Sequence, residues 1–128
     1  MNRKIAIIIL SVIVLSCNTN EIKDIIFIDE TIDLGTIPSS GMFSVFFKAY
    51  NPGNKAIMLE RVVSDCHCTV ARDYNKIIKS KDTASIEVTY HSEGLGYFEQ
   101  LIEVHTNTKN SPALLFIKGR RVLKHNKE

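Results

Sequence analysis

This chain of 128 residues has little of what most functional classes require. Outside residues 5–15 its apolar runs are short, so nothing in the body of the chain approaches the roughly 20 apolar residues of a membrane-spanning helix. No stretch carries an apolar stripe at helical spacing, which argues against a helical bundle. There is no internal repeat and no low-complexity segment, so solenoids and disordered arrays are set aside. A nucleophile elbow, a phosphate-cradling glycine loop and a His-Glu-x-x-His pair are all missing, and Asp and Glu fall at alternating positions that a sheet surface needs anyway; the sequence predicts no enzyme. Cysteine is scarce, at Cys17, Cys66 and Cys68. What remains is 45% hydrophobic and 23% charged, the balance of one globular domain.

The N-terminus is an address rather than part of the fold. Arg3 and Lys4 precede a run from Ile5 to Leu15 that is apolar but for Ser11, and Ser16-Cys17 follows. That order is the pattern of a secretory signal peptide, too short to be a permanent span. Val14-Leu15-Ser16-Cys17 resembles the lipobox of bacterial lipoproteins, although Val14 stands where leucine is usual and Leu15 where a small residue is usual. The resemblance implies cleavage after residue 16 and a lipid on Cys17. It places the mature chain in the cell envelope of a Gram-negative bacterium, anchored to the inner or outer membrane. A polar tether over residues 17–23 then leads to a domain over residues 24–122, with a polar tail at 123–128.

Charge of one sign is also missing once the leader is removed. The whole chain has 16 Lys+Arg and 14 Asp+Glu, and cleavage takes away Arg3 and Lys4, leaving a formal net charge of zero. The basic surface that a phosphate backbone demands is thereby absent except for Lys118, Arg120, Arg121, Lys124 and Lys127, which read as a solvated tail, with a contact to acidic lipid or polysaccharide as the lesser alternative. No nucleic-acid partner is expected.

From Ile25 onward the apolar runs are β-branched or aromatic and separated by turn residues every 8 to 12 positions or so. Strands are expected at Ile25–Ile28, Ile32–Ile37 (interrupted by Gly35), Met42–Tyr50, Ala56–Ser64, Ser85–Tyr90, Phe98–Val104 and Ala113–Val122. In Met42–Tyr50 the residues Phe43, Val45 and Phe47 share one face; Ile86, Val88 and Tyr90 share another, as do Phe98, Ile102 and Val104. Asn51-Pro52-Gly53-Asn54 has the composition of a type II turn closing a hairpin, and Gly94-Leu95-Gly96 predicts a second hairpin. Residues 70–82 read as irregular with a short strand. About seven or eight strands in roughly 100 residues favour an all-β, immunoglobulin-like antiparallel β-sandwich over a small closed barrel.

Asn51-Pro52-Gly53-Asn54, Val62-Val63-Ser64-Asp65-Cys66-His67-Cys68-Thr69, Ile86-Glu87-Val88-Thr89-Tyr90, the Gly94–Phe98 turn and Ile102–Asn107 together resemble the bacterial domain of unknown function 1573 family. The resemblance covers most of the mature chain. It implies an immunoglobulin-like sandwich shared with cilia-associated ASH-type domains, and export, often as a lipoprotein of Bacteroidetes. It implies no activity. His67 stands where the family usually has glycine between its cysteines, and Lys79-Ser80-Lys81-Asp82 replaces a Pro-Gly-type turn.

Chemistry concentrates at Cys66, His67 and Cys68. In an extended segment the two cysteines point to one side and His67 to the other, with the cysteine Cα atoms about 6.5–7 Å apart, near the limit for a disulfide. A bridge there requires a local kink. Export disfavours free thiols. Three readings stay open: a structural pair, a thiol-disulfide relay with His67 as the neighbouring cation, and Cu(I) held by two thiolates. Zinc would want four ligands, and nothing in the spacing of His91 or His105 completes a set. No catalytic residue and no obligatory cofactor is expected. The predicted role is a binding or assembly module whose partners are the membrane, through the lipid, and an envelope protein or glycan.

Overall fold

The computed structural model describes residues 20–67, 69–74 and 76–124. The leader, Cys17, Cys68 and Lys127 lie outside that set. Among the described residues nine strands form two sheets: β1 (Ile26–Phe27), β2 (Thr31–Pro38), β3 (Ser40–Tyr50), β4 (Ile57–Ser64), β5 (Thr69–Tyr74), β6 (Ile77–Ile78), β7 (Thr83–Glu93), β8 (Gly96–Thr106) and β9 (Ala113–Val122). One sheet runs β1-β3-β7-β5 and the other β2-β9-β8-β4-β6. They pack face to face as an all-β, immunoglobulin-like sandwich.

Alternation explains the core. Along β3 the side chains of Val45, Phe47 and Ala49 are buried while Ser44, Phe46 and Lys48 are exposed. On β7 the buried face is Ala84, Ile86, Val88 and Tyr90, and on β8 it is Phe98, Ile102 and Val104. Leu115 and Ile117 of β9 meet them from the same sheet as β8. A strand with side chains of period two can bury one such row only by facing another row, and the two sheets supply it. The ring of Tyr90 stacks on that of Phe98 across the core, with centroids 4.5 Å apart and planes 7° from parallel.

Pairing departs from the sequence reading first at the hairpins. Both expected hairpins are absent: β3 and β4 lie in different sheets, and so do β7 and β8. Every connection but β8–β9 carries the chain from one sheet to the other. Turn composition reports that the chain reverses; it does not report whether the next strand pairs with the last one or lies across the core from it. Both partners bury their apolar rows either way.

The Asn51–Asn54 connection shows what replaces the hairpin. Gly53 does not adopt positive φ, so the turn is not type II. Instead Asn51, fully buried, donates from its amide to the carbonyls of Lys55 (2.7 Å) and Ile78 (2.9 Å) and accepts from Gly53 N–H (3.0 Å). Its backbone N–H reaches Asp82 O and its carbonyl takes Lys81 N–H, both at 3.0 Å. One amide thus ties the end of β3, the start of β4 and the β6–β7 loop. In that loop Lys81 itself takes a positive φ of 60°.

Three further differences matter. Where residues 70–82 are expected to be irregular with a short strand, there are two strands, β5 over Thr69–Tyr74 at the edge of the first sheet and the short β6 over Ile77–Ile78 in the second. Strand β2 pairs with β9 in parallel, the sole parallel pairing described, and a bulge separates Asp33 from Thr36. Gly35 sits in that bulge at φ 65°, its N–H held by Asp33 Oδ1 at 2.8 Å. Finally, the tether expected over residues 17–23 is partly folded: Lys55 Nζ bonds Asn20 O at 3.1 Å, and Ile22 packs on the core.

Candidate functional site

The Cys66 segment is a tight crossover, not an extended strand. Strand β4 ends at Ser64 in the second sheet and β5 begins at Thr69 in the first, so Asp65, Cys66 and His67 turn the chain over the flank of the sandwich. The expected alternation of Cys66 against His67 therefore does not apply. Asp65 N–H bonds Leu101 O at 3.4 Å and Cys66 N–H bonds Ser64 Oγ at 3.3 Å, which fix the entry to the turn. Leu101 lies midway along β8, so the crossover sits at mid-height on the flank. Cys66 is half-buried and His67 exposed.

Cys66 is disulfide-bonded. Cys17 and Cys68, the other two cysteines of the chain, both lie outside the described residues. In this oxidised state Cys66 offers no thiolate to a metal or a substrate. The two histidines considered as further ligands are not brought to it or to each other. His91 is on the outer face of the first sheet beside Met42, and His105 is on β8 of the second, 2.9 Å from Glu103 Oε2. Among the described residues no three His, Cys, Asp or Glu side chains gather as a metal centre.

A second feature lies at the β2 edge of the second sheet, and sequence reading missed it. Asp33, Gly35 and Thr36 of β2, Tyr97, Phe98 and Glu99 of β8, and Lys118, Gly119 and Arg120 of β9 line a groove of about 690 Å³. The β2 bulge opens it, and Gly119 forms part of its floor. A Cβ at 119 would stand 2.9 Å from Gly35 O and 3.0 Å from the Phe98 ring, so only glycine admits the approach of β2 to β9. Tyr97 is 80% exposed, and the Arg120 guanidinium lies 5.2 Å from its ring centroid. The signal was present in the glycines that break the strand patterns at 35 and 119 and in a tyrosine at an outward position.

Phe98 is buried beneath the groove. The Arg121 guanidinium lies over the Phe98 ring, 5.3 Å from its centroid, and donates to the carbonyls of Glu93 and Gly96. Burial pushes the Tyr90 hydroxyl above its ordinary pKa of 10.0, with Arg121 opposing. The groove spans β2, β9 and β8, and the crossover leaves the end of β4 on the other side of β8, where Asp65 bonds Leu101.

These features define an immunoglobulin-like sandwich with a grooved edge and a disulfide-bearing flank. Residues 25–121 match the model of the family described as protein of unknown function (DUF1573), and the chain belongs to that family. Among solved structures it is similar to a protein of unknown function from Porphyromonas gingivalis W83, at a TM-score of 0.66 and 14% identity over 75% of this chain and 46% of that one. The ASH/PapD-like domain 7 of human CEP192 matches at a TM-score of 0.65 and 10% identity, over 79% of this chain and 87% of that domain. The VesB protease of Vibrio cholerae matches at 0.63 and 14% identity, over 75% of this chain and 31% of the protease. The chain thus spans less than half of the Porphyromonas protein and under a third of the protease, and at these identities the likeness is one of fold. No curated protein is similar enough in sequence to count as a relative.

Proposed function

We propose that this protein is a lipid-anchored, non-catalytic binding module of the Gram-negative cell envelope, with the lipid on Cys17, and that it takes an envelope protein or glycan in the groove at the β2 edge. The observation that carries the reading is the exposed Tyr97 ring over a formed groove. An aromatic side chain left 80% exposed in a small domain, fixed by a cation and flanked by Asp33, Glu99 and Lys118, is the composition of a recognition site. Its acids and bases offer both donors and acceptors, while the ring offers an apolar face.

The test is a photo-crosslinking residue placed at Tyr97 in the lipid-anchored protein in living cells. A discrete adduct at Tyr97, absent when the same residue replaces exposed Ser85 on the other sheet, supports the reading. Recovery of only bulk lipoproteins from both positions removes it.

A second reading is favoured by the disulfide at Cys66: a thiol-disulfide protein, or after reduction a Cu(I) handler, working from the exposed flank with Cys68. Intact mass with and without reduction and alkylation identifies the bridged pair. A dithiol turnover assay in which Cys66→Ser, Cys68→Ser equals the parent excludes the relay, and equal copper retention excludes the metal.

A further inference from the structure

We infer that one end of the sandwich rests on the membrane and binds anionic phospholipid headgroups through a lysine-lined groove, so that the Tyr97 groove and the Cys66 flank stand clear of the lipid. This rests on the reading of Cys17 as the lipidated residue.

The N-terminal segment is fastened to the domain from Asn20 onward. Asn20 O is held by Lys55 Nζ at 3.1 Å, and Asp24 accepts from Asn110 N–H at 3.1 Å and from Asn110 Nδ2 at 2.6 Å. Ile22 and Ile25 pack against the core. Three residue steps separate Cys17 from Asn20, and a chain fully extended covers at most about 3.6 Å per step, so about 11 Å in all. A lipid on Cys17 therefore keeps this end of the domain within that distance of the headgroups, whatever conformation the intervening residues take.

The chemistry of that end suits such a neighbour. The N-terminal segment, the Pro52–Lys55 connection and the β8–β9 turn enclose a groove of about 910 Å³ whose charged lining is Lys23, Lys55 and Lys109 against Glu21 and Asp24. All three lysines are exposed, as are Lys79 and Lys81 on the adjoining β6–β7 loop, where Lys81 Nζ reaches Pro52 O. Three acids share this end and keep their charge: Asp24, which accepts from Asn110, Asp82, which accepts from Thr83 N–H at 2.8 Å, and Glu21, 3.9 Å from Lys109. Five cations from four chain segments thus face three acids beside the anchor. Phosphodiester headgroups are the anions a lipid surface presents, and juxtamembrane lysines bind them. Strand β8 runs from Gly96 at the far end to Thr106 at this one, a height of roughly 35 Å at 3.4 Å per residue. Tyr97 lies at the far end of it and Leu101, beside the Cys66 turn, at its middle.

Amine-acylation footprinting of the acylated full chain tests this, comparing detergent with vesicles of phosphatidylcholine alone or with phosphatidylglycerol. Acylation of Lys23, Lys55 and Lys109 is expected to slow about fivefold or more in phosphatidylglycerol vesicles, while Lys118 and Lys124 react as in detergent. Uniform reactivity, protection of Lys118 and Lys124 instead, or equal protection in pure phosphatidylcholine overturns the headgroup site. The intact mass of the same sample reads the anchor: no acyl chains on Cys17 overturns that reading and this one together, whereas an acylated chain without lysine protection overturns this one alone.

Discussion

Asn51 carries more of the architecture than any other polar residue described. Fully buried, it satisfies two carbonyls and one N–H, from the β3–β4 connection and from β6. Truncation to alanine would leave those groups buried and unpaired, each at a cost of 1 kcal/mol or more, so Asn51→Ala is expected to lose about 2–4 kcal/mol in urea unfolding. Asp24 is a residue-scale probe of acid stability. Hydrogen bonds, first among them from Asn110 N–H, hold its carboxyl below its ordinary pKa of 3.8. Its contribution is therefore complete above about pH 4–5 and is lost as pH falls through the depressed value. Asp24→Asn should flatten the acid limb of melting temperature against pH; an unchanged limb would show that the bonds to Asn110 do not favour the charged form. The cysteine pair illustrates how residue chemistry depends on local geometry. Strand alternation set Cys66 and His67 on opposite sides, but the crossover at 65–67 is a turn, and alternation holds only in extended chain.

At the scale of elements, inward faces were legible and partners were not. Phe43, Val45 and Phe47, Ile86, Val88 and Tyr90, and Phe98, Ile102 and Val104 are on the faces that alternation assigns them, because a one-residue slip would expose the whole row. Adjacent residues of β3 make the point measurable. Phe47→Ala should cost about 3–5 kcal/mol and Phe46→Ala, one position along and 57% exposed, no more than about 0.5 kcal/mol by the same unfolding assay. Comparable losses would mean that the outer face of this sheet is itself covered. Strand β5 escaped notice because Thr69–Tyr74 has no clean apolar row of its own; it is a strand because β7 offers it an edge, with Thr69 opposite Tyr90 and Ala71 opposite Val88. The bulge in β2 is half legible: Gly35 marks a break, but the groove exists only where Gly119 of β9 lets that break come close.

For the whole molecule, the two candidate sites lie on either side of β8 and share no side chain. Substitutions at sites with no shared partner usually behave independently. A crosslinked adduct at Tyr97 is therefore expected to persist at parental yield in Cys66→Ser cells; its loss would join the two features into one function. The topology also bears on folding, since every connection but one crosses between sheets and most contacts join distant parts of the chain. Such a topology predicts slow folding relative to helical domains of this size.

By itself the sequence determined that this is an all-β domain, which residues form most of its strands and which side of each strand faces the core, because period-two patterning is written residue by residue. It also carries the family resemblance around Asn51–Asn54 and Ser64–Thr69. Only the tertiary structure decided that the Asn51 and Gly94 turns send the chain across the core, that β2 runs parallel to β9, and that Tyr97, Lys118 and Asp33 share a groove. Those outcomes turn on which apolar rows meet and which glycines let backbones approach, and both are relations between residues far apart in the chain.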